Sequence, residues 1–317
     1  MIPIRLSYPQ FKPVAGDREP VRRLLILGDS YISQGGPLHR RLVGELVPEG
    51  IEILNVASGG LGPYDYRDRM HAYGEYFRPD VTLCCYYAGN DLTNVQYRRP
   101  AGVIARLRAE GRKRAQGFCL YQLYCTARRA WERPGRDELT AAGHDSKLID
   151  LVQQRQMSPY WLPFARQNPG FVRENLLFEG QDCDAAYQIV ENCLDQIDLA
   201  CRELNSELLL VIFPAPCQVD RRYFEFFEQV GFETDDRFLT TSLPQDRLQS
   251  FCRQRGIRTL DLLDTYRKQT DRLYHENDPH FNDAGNDLAA FHLLPWLKDA
   301  LQCETVAAGL RINIQAR

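Results

Sequence analysis

A chain of 317 residues, 44% apolar and 26% charged, has room for one large or two small cores and the composition of a soluble globular protein. Its net charge of −3 excludes a whole-molecule field that would draw it to nucleic acid or an anionic membrane. No apolar run approaches the ~18 residues needed to span a bilayer.

Leu24 to Leu27, closed by Gly28, reads as a short buried strand. Leu38, Leu42 and Leu46 then recur at helical spacing behind Pro37, a residue suited to a first helical turn. Ile51 to Val56 is a second strand, and Tyr64 to Phe77 a helix that Pro79 ends. Val81 to Tyr87 is a third apolar run, followed by Gly89. Residues 95–180 then carry no clear strand and are rich in arginine, glutamine and aromatics. The pattern resumes at Asp184 as an N-cap, with Ile189, Cys193, Ile197, Cys201 and Leu204 as one helical stripe. Leu208 to Phe213 is a fourth strand, Gln245 to Arg255 a helix and Ile257 to Leu260 a fifth strand. A last helix, about 283–301, carries Leu288, Phe291 and Leu294 on one side and is expected to kink at Pro295.

Strands alternating with helices predict an α/β fold: a three-layer α/β/α sandwich around a central five-stranded parallel sheet, doubly wound. The chain is expected to be a single domain, 1–317, with a largely helical insertion or lid at 95–180. The ten cysteines sit at irregular spacings without a C-x-x-C pair, so a zinc ribbon or thioredoxin-like site is not expected. Cys84 and Cys85 would point to opposite faces of one strand and suit neither a mutual disulfide nor one metal. The start, MIPIRLSYPQ, lacks the pattern of a secretory signal. Reduced, mostly buried thiols in a cytoplasmic protein are therefore expected.

In such sheets ligands bind beyond the carboxyl ends of the strands, and chemically capable residues cluster there. The first strand runs into Gly28-Asp29-Ser30, at a predicted helix N-terminus that would favour developing negative charge on a serine nucleophile. Alone, this serine is as well read as a helix cap. It is not a G-x-S-x-G elbow, and no P-loop follows the strand. After the second strand come Asn55-Val56-Ala57-Ser58-Gly59-Gly60, and after the third Gly89-Asn90-Asp91. Glycines there bring backbone N–H groups close to a ligand, and an asparagine amide is an oxyanion donor, a role worth about 3–4 kcal/mol. Each is also ordinary turn chemistry. Near the end stands Asp278-Pro279-His280-Phe281-Asn282, in which an aspartate close before a histidine can fix the imidazole tautomer. His39, His71, His144 and His292 lack such a partner, and His275 sits just upstream.

Taken together, G-D-S, a glycine turn, G-N-D and a late D-x-H-x-N resemble the SGNH/GDSL hydrolase superfamily over about 22–94 and 184–300. The resemblance implies a flavodoxin-like sandwich and a serine esterase or acyl hydrolase. It implies Ser30 as nucleophile, His280 as base and Asp278 as the orienting acid. The oxyanion hole would be the N–H groups of Ser30 and Gly60 with the Asn90 amide, Gly59 being the alternative to Gly60. Many members use D-x-x-H, which here would be Asn277; the D-x-H spacing resembles a branch acting on polysaccharide O-acetyl groups. Asp29, Gly59, Asp91 and His275 are expected to line the substrate. No metal or organic cofactor is implied. The expected substrate is a small-molecule or carbohydrate ester, with a transferase or a non-catalytic binding protein as the other readings. Eleven Lys and Arg against two acidic residues from Gln96 to Arg136 form either a solvated face or a dock for an anionic substrate or acyl-carrier partner. Tyr160 to Phe164 is an aromatic knot that either packs the insertion onto the core or lines a pocket.

Overall fold

The computed structural model describes residues 22–97, 139–140, 143, 145–180 and 182–302. Most of the basic run, and His144, lie outside them. Five strands, β1 (Arg23–Leu27), β2 (Glu52–Asn55), β3 (Val81–Tyr87), β4 (Glu207–Phe213) and β5 (Arg258–Asp261), form one sheet in the order β2-β1-β3-β4-β5. Every pairing is parallel.

Before the insertion come helices α1 (Pro37–Leu46), α2 (Pro63–Phe77) and α3 (Asp91–Tyr97). Within it lie α4 (Ser146–Gln153), α5 (Trp161–Gln167) and α6 (Phe171–Leu177), with no strand among its described residues. Then follow α7 (Cys183–Glu203), α8 (Pro216–Val219), α9 (Phe224–Val230), α10 (Leu243–Arg255), α11 (Leu263–Arg267) and α12 (Asp283–Ala300).

The period-2 alternation of strand side chains divides the core in two. Leu24, Ile26, Leu83, Cys85, Leu209, Val211 and Phe213 pack on the side of α1, α12 and the insertion. Leu25, Leu27, Cys84, Tyr86, Leu208, Leu210 and Ile212 pack on α2, α7 and α10. The adjacent cysteines thus serve opposite layers. β3 is buried along its whole length, which only a sheet covered on both faces allows. Each leucine so enclosed contributes about 1.5–3 kcal/mol relative to exposure.

Two sequence expectations about helices are corrected. The N-cap of α7 is Asp182, in the left-handed region at φ 66°, and Asp184 falls inside the first turn. On α12 the buried face is Ala289, Leu293 and Leu297, while Phe291 is 69% exposed and Leu288 and Leu294 only edge the core. The helix is continuous through Pro295. The aromatic knot packs: Trp161 meets Phe226 and Phe232 edge-on, and Phe164 meets Phe171 and Phe232, joining α5 to α6 and to the α9 region.

Candidate active site

The strand order reverses direction between β1 and β3, so the loops leaving these two strands diverge and leave a crevice. Ser30 stands at the end of β1. The segment that follows is a three-residue 3-10 turn, Ser30–Ile32, and α1 begins only at Pro37, so no α-helix N-terminus lies directly behind the serine. The cap of that turn is Asp29, whose carboxylate accepts the Tyr31 N–H at 3.0 Å. With the capping role taken, the Ser30 hydroxyl is free for other chemistry. Gly28 is required by space: a Cβ there would meet Ile32 Cγ2 at 2.6 Å and Cys85 Cβ at 3.0 Å.

The end of β2 is fastened to the same turn by Asn55, which is buried. Its amide donates to the Ile32 carbonyl at 2.7 Å and its Oδ1 accepts the Ala57 N–H at 2.8 Å. Ser58 N–H also reaches the Gly28 carbonyl, at 3.3 Å. This brings Gly59 against the serine, where a Cβ would lie 3.7 Å from Ser30 Cβ, while Gly60 takes φ +74°. Both glycines are exposed.

The histidine arrives from the far end of the chain. Leu273 to Asn282 is a small hairpin closed by His275 N–H to the His280 carbonyl and Asn282 N–H to the Leu273 carbonyl, both 3.0 Å, around a Tyr274–Phe281 bridge. Asn282 then caps α12, its Oδ1 accepting the Gly285 N–H at 3.0 Å. At the hairpin's tip Asp278 makes an Asx turn, accepting the His280 backbone N–H at 2.9 Å. The same Oδ1 meets the imidazole Nδ1. The other ring nitrogen, Nε2, is 2.7 Å from Ser30 Oγ. With Nδ1–H donating to the carboxylate, Nε2 is the acceptor for the serine proton.

Burial works to lower the His280 pKa, but the hydrogen bond and charge of Asp278, with the charge of Asp29, outweigh it, and the net shift is upward. Burial works to raise Asp278, and the His280 contacts outweigh that, holding the carboxyl below its ordinary range. The shifts thus favour an ionised Asp278 beside the His280 ring. His275 is exposed and adds a smaller lowering influence on Asp278.

Asn90 is partly buried at the end of β3, its Nδ2 donating to Asp29 Oδ2 at 3.3 Å and its Oδ1 without a partner among the described residues. Asp29 and Asp91, expected to line the substrate, do not reach it: they are 1% and 0% exposed. Asp91 accepts from the Tyr66 hydroxyl and the Tyr87 N–H, both at 2.9 Å, and so braces the start of α3. Burial pushes both carboxyls up, Asp91 far up, with the neighbouring Asp29 charge adding to it. Beside the acid lies an open cleft of ≈ 290 Å³, lined by Arg155, Gln156, Met157, Ser158, Pro159 and Asp278. The α4–α5 connection of the insertion therefore walls the site on the Asp278 side.

Sequence reasoning passed over two residues. Asn55 was visible only as part of a turn. Tyr31 is the other; its ring packs on Tyr87 and on His280, with centroids 4.1 and 5.1 Å away.

A doubly wound α/β sandwich with a serine–histidine–aspartate chain at its switch point is the class that fold and site define. The fold is similar to those of 37 solved chains. They include a lipase/acylhydrolase from Enterococcus faecalis, 12% identical over 88% of this chain and 96% of that one, with a TM-score of 0.44. They also include a GDSL-like lipase from Bacteroides thetaiotaomicron, 8% identical over 88% and 89%, with a TM-score of 0.42. A catalytic mutant of an acetylxylan esterase from Geobacillus stearothermophilus is 11% identical over 86% and 93%, with a TM-score of 0.45. No family model matches the chain, and neither does any curated protein.

Proposed function

We propose that the chain is a serine ester hydrolase of the SGNH/GDSL type that works through an acyl-enzyme on Ser30. The observation that carries this reading is the unbroken Ser30 Oγ, His280, Asp278 chain, with 2.7 Å between Oγ and Nε2. His280 takes the hydroxyl proton as Oγ bonds to the ester carbonyl carbon, and the carbonyl electron pair moves onto oxygen. Backbone N–H groups at Ser30 and the Gly59-Gly60 turn, with the second Asn90 amide hydrogen, receive that oxyanion. Its collapse breaks the bond to the alkoxide, which leaves with the proton from His280 as the alcohol. Water then repeats the sequence on the acyl-enzyme, giving the acid and restoring the Ser30 hydroxyl.

The proposed substrate is a small O-acyl group on a sugar or small metabolite. The open, polar cleft beside Asp278, with Arg155, Gln156 and Ser158 in its wall, suits a polar alcohol portion better than a long lipid chain.

Turnover of p-nitrophenyl acetate, butyrate and octanoate by wild type and Ser30→Ala tests this. The wild type should prefer the short esters and react with a fluorophosphonate probe. The variant should fold, resist the probe and lose at least about three orders of magnitude in kcat. Wild-type protein that is folded yet neither hydrolyses the esters nor takes the probe would favour a binding role.

A further inference from the structure

Tyr31 directly follows the proposed nucleophile, yet its contacts are with the loop that brings the base. The residue is 5% exposed, and its ring lies among Tyr87, Phe213, His280 and Phe281, the last meeting it edge-on at 4.8 Å. Its hydroxyl donates to the carbonyl of Pro279, the residue between Asp278 and His280 and 248 positions away in sequence. Other buried tyrosines beneath the hairpin tie down its base. The Tyr223 hydroxyl accepts the Leu273 and Tyr274 N–H groups at 2.8 and 3.3 Å, and Tyr274 donates to the Pro214 carbonyl at 2.8 Å. Among these tyrosine hydroxyl bonds, that of Tyr31 alone reaches the Asp278-Pro279-His280 tip.

Resting on the reading of Ser30 and His280 as nucleophile and base, we propose that Tyr31 is a positioning residue that sets the distance between them. Nucleophile and clamp are chain neighbours, so Tyr31 fixes the tip relative to the very turn that carries Ser30. Its hydroxyl grips the peptide between acid and base, and its ring backs the imidazole. Burial pushes the Tyr31 pKa far above the ordinary tyrosine value, so the hydroxyl stays a donor over the whole working pH range. Misplacement of a reacting group by about 1 Å can cost on the order of 100-fold in rate, which is the scale on which such a clamp acts.

The test is Tyr31→Phe, which keeps the ring and removes the donor, compared with Tyr187→Phe, which removes a buried hydroxyl bonded to the Pro244 carbonyl at 3.3 Å, in the other layer of the core. Tyr31→Phe should lower kcat on p-nitrophenyl acetate by roughly 10- to 100-fold. KM should stay within about twofold, and the downfield Nδ1 proton resonance of His280 should shift or broaden. Tyr187→Phe should leave kcat and that resonance unchanged, whatever it does to Tm. Installing 4-aminophenylalanine at position 31, which restores a para donor, should recover most of kcat and serves equally if Tyr31→Phe folds poorly. Unchanged kcat and resonance in Tyr31→Phe, equal losses in both phenylalanine variants, or no recovery with 4-aminophenylalanine would overturn the proposal. Activity surviving Ser30→Ala would instead sink the underlying assignment, and is read separately.

Discussion

In the proposed relay, Asp278 shows how a two-residue spacing between acid and base can work. One carboxylate oxygen takes both the backbone N–H and the ring nitrogen of His280, so the Asx turn that shapes the tip also orients the imidazole. Asn277, the position that a three-residue spacing would use, is not needed. The shifts have definite signs. His280 is raised above 6.5, so its contribution to stability is complete below that value and lost as pH rises through the higher folded pKa. Asp278 is lowered below 3.8, so its contribution is present above that value and lost as pH falls through the lower folded pKa. Because the base must be neutral, the acid limb of the kcat/KM profile should have its midpoint above 6.5. Asp278→Asn should move that midpoint down and cut kcat by about 10³–10⁴-fold. An unmoved midpoint would remove Asp278 from the relay. Ser30, Asn90, Asp278 and His280 were legible as candidates only as a set: each alone is ordinary cap or turn chemistry, but all stand at strand ends or turns in one order. Tyr31 and Asn55 were not, because their roles lie in which distant carbonyl they touch, and no local pattern encodes that. Asp29 and Asp91 were misread for a related reason: sequence places them beside the site but does not say which way burial turns them.

At the scale of elements, periodicity located the five strands and the long helices α1, α2, α7, α10 and α12, did not register the short α3, α8, α9 and α11, and failed where a helix is apolar on several sides. On α12, Leu288-Phe291-Leu294 and Ala289-Leu293-Leu297 are both helical stripes, and the pattern alone does not choose between them. The small residues decide it, since Gly285 and Ala289 allow close approach. A Cβ at Gly285 would fall 2.0 Å from the Leu273 carbonyl oxygen, a backbone atom of the hairpin that carries the base. Gly285→Ala should therefore cost about 1–3 kcal/mol or more in urea unfolding. It should also reduce kcat, because the helix can no longer seat on the hairpin. A variant with wild-type stability would mean that the hairpin and helix slide past one another freely.

At the scale of the molecule, the described residues form two apolar layers on one parallel sheet, and their thiols follow that plan. Among the described residues, Cys84, Cys85, Cys183, Cys193, Cys201, Cys217 and Cys252 are all buried and form no disulfide. Burial raises the thiol pKa of Cys84, Cys85 and Cys217 far above the ordinary value, and that of Cys201 to about 11. Iodoacetamide should leave these seven unmodified in native protein and alkylate them after denaturation, as peptide mapping would read. Alkylation of Cys84 or Cys85 without unfolding would contradict the layer assignment. Among the described residues no helix is long and apolar enough to cross a membrane. The insertion was legible as a break in the strand–helix rhythm, but which of its segments meets Asp278 depends on tertiary packing. One consequence belongs to biosynthesis. The proposed nucleophile and base stand 250 positions apart, so a ribosome exposes Ser30 long before it has made His280. Until His280 is made, the proposed nucleophile lacks its proposed proton acceptor. Under the proposed mechanism, ester cleavage is then a late certificate of folding, issued only once the hairpin carrying His280 has docked.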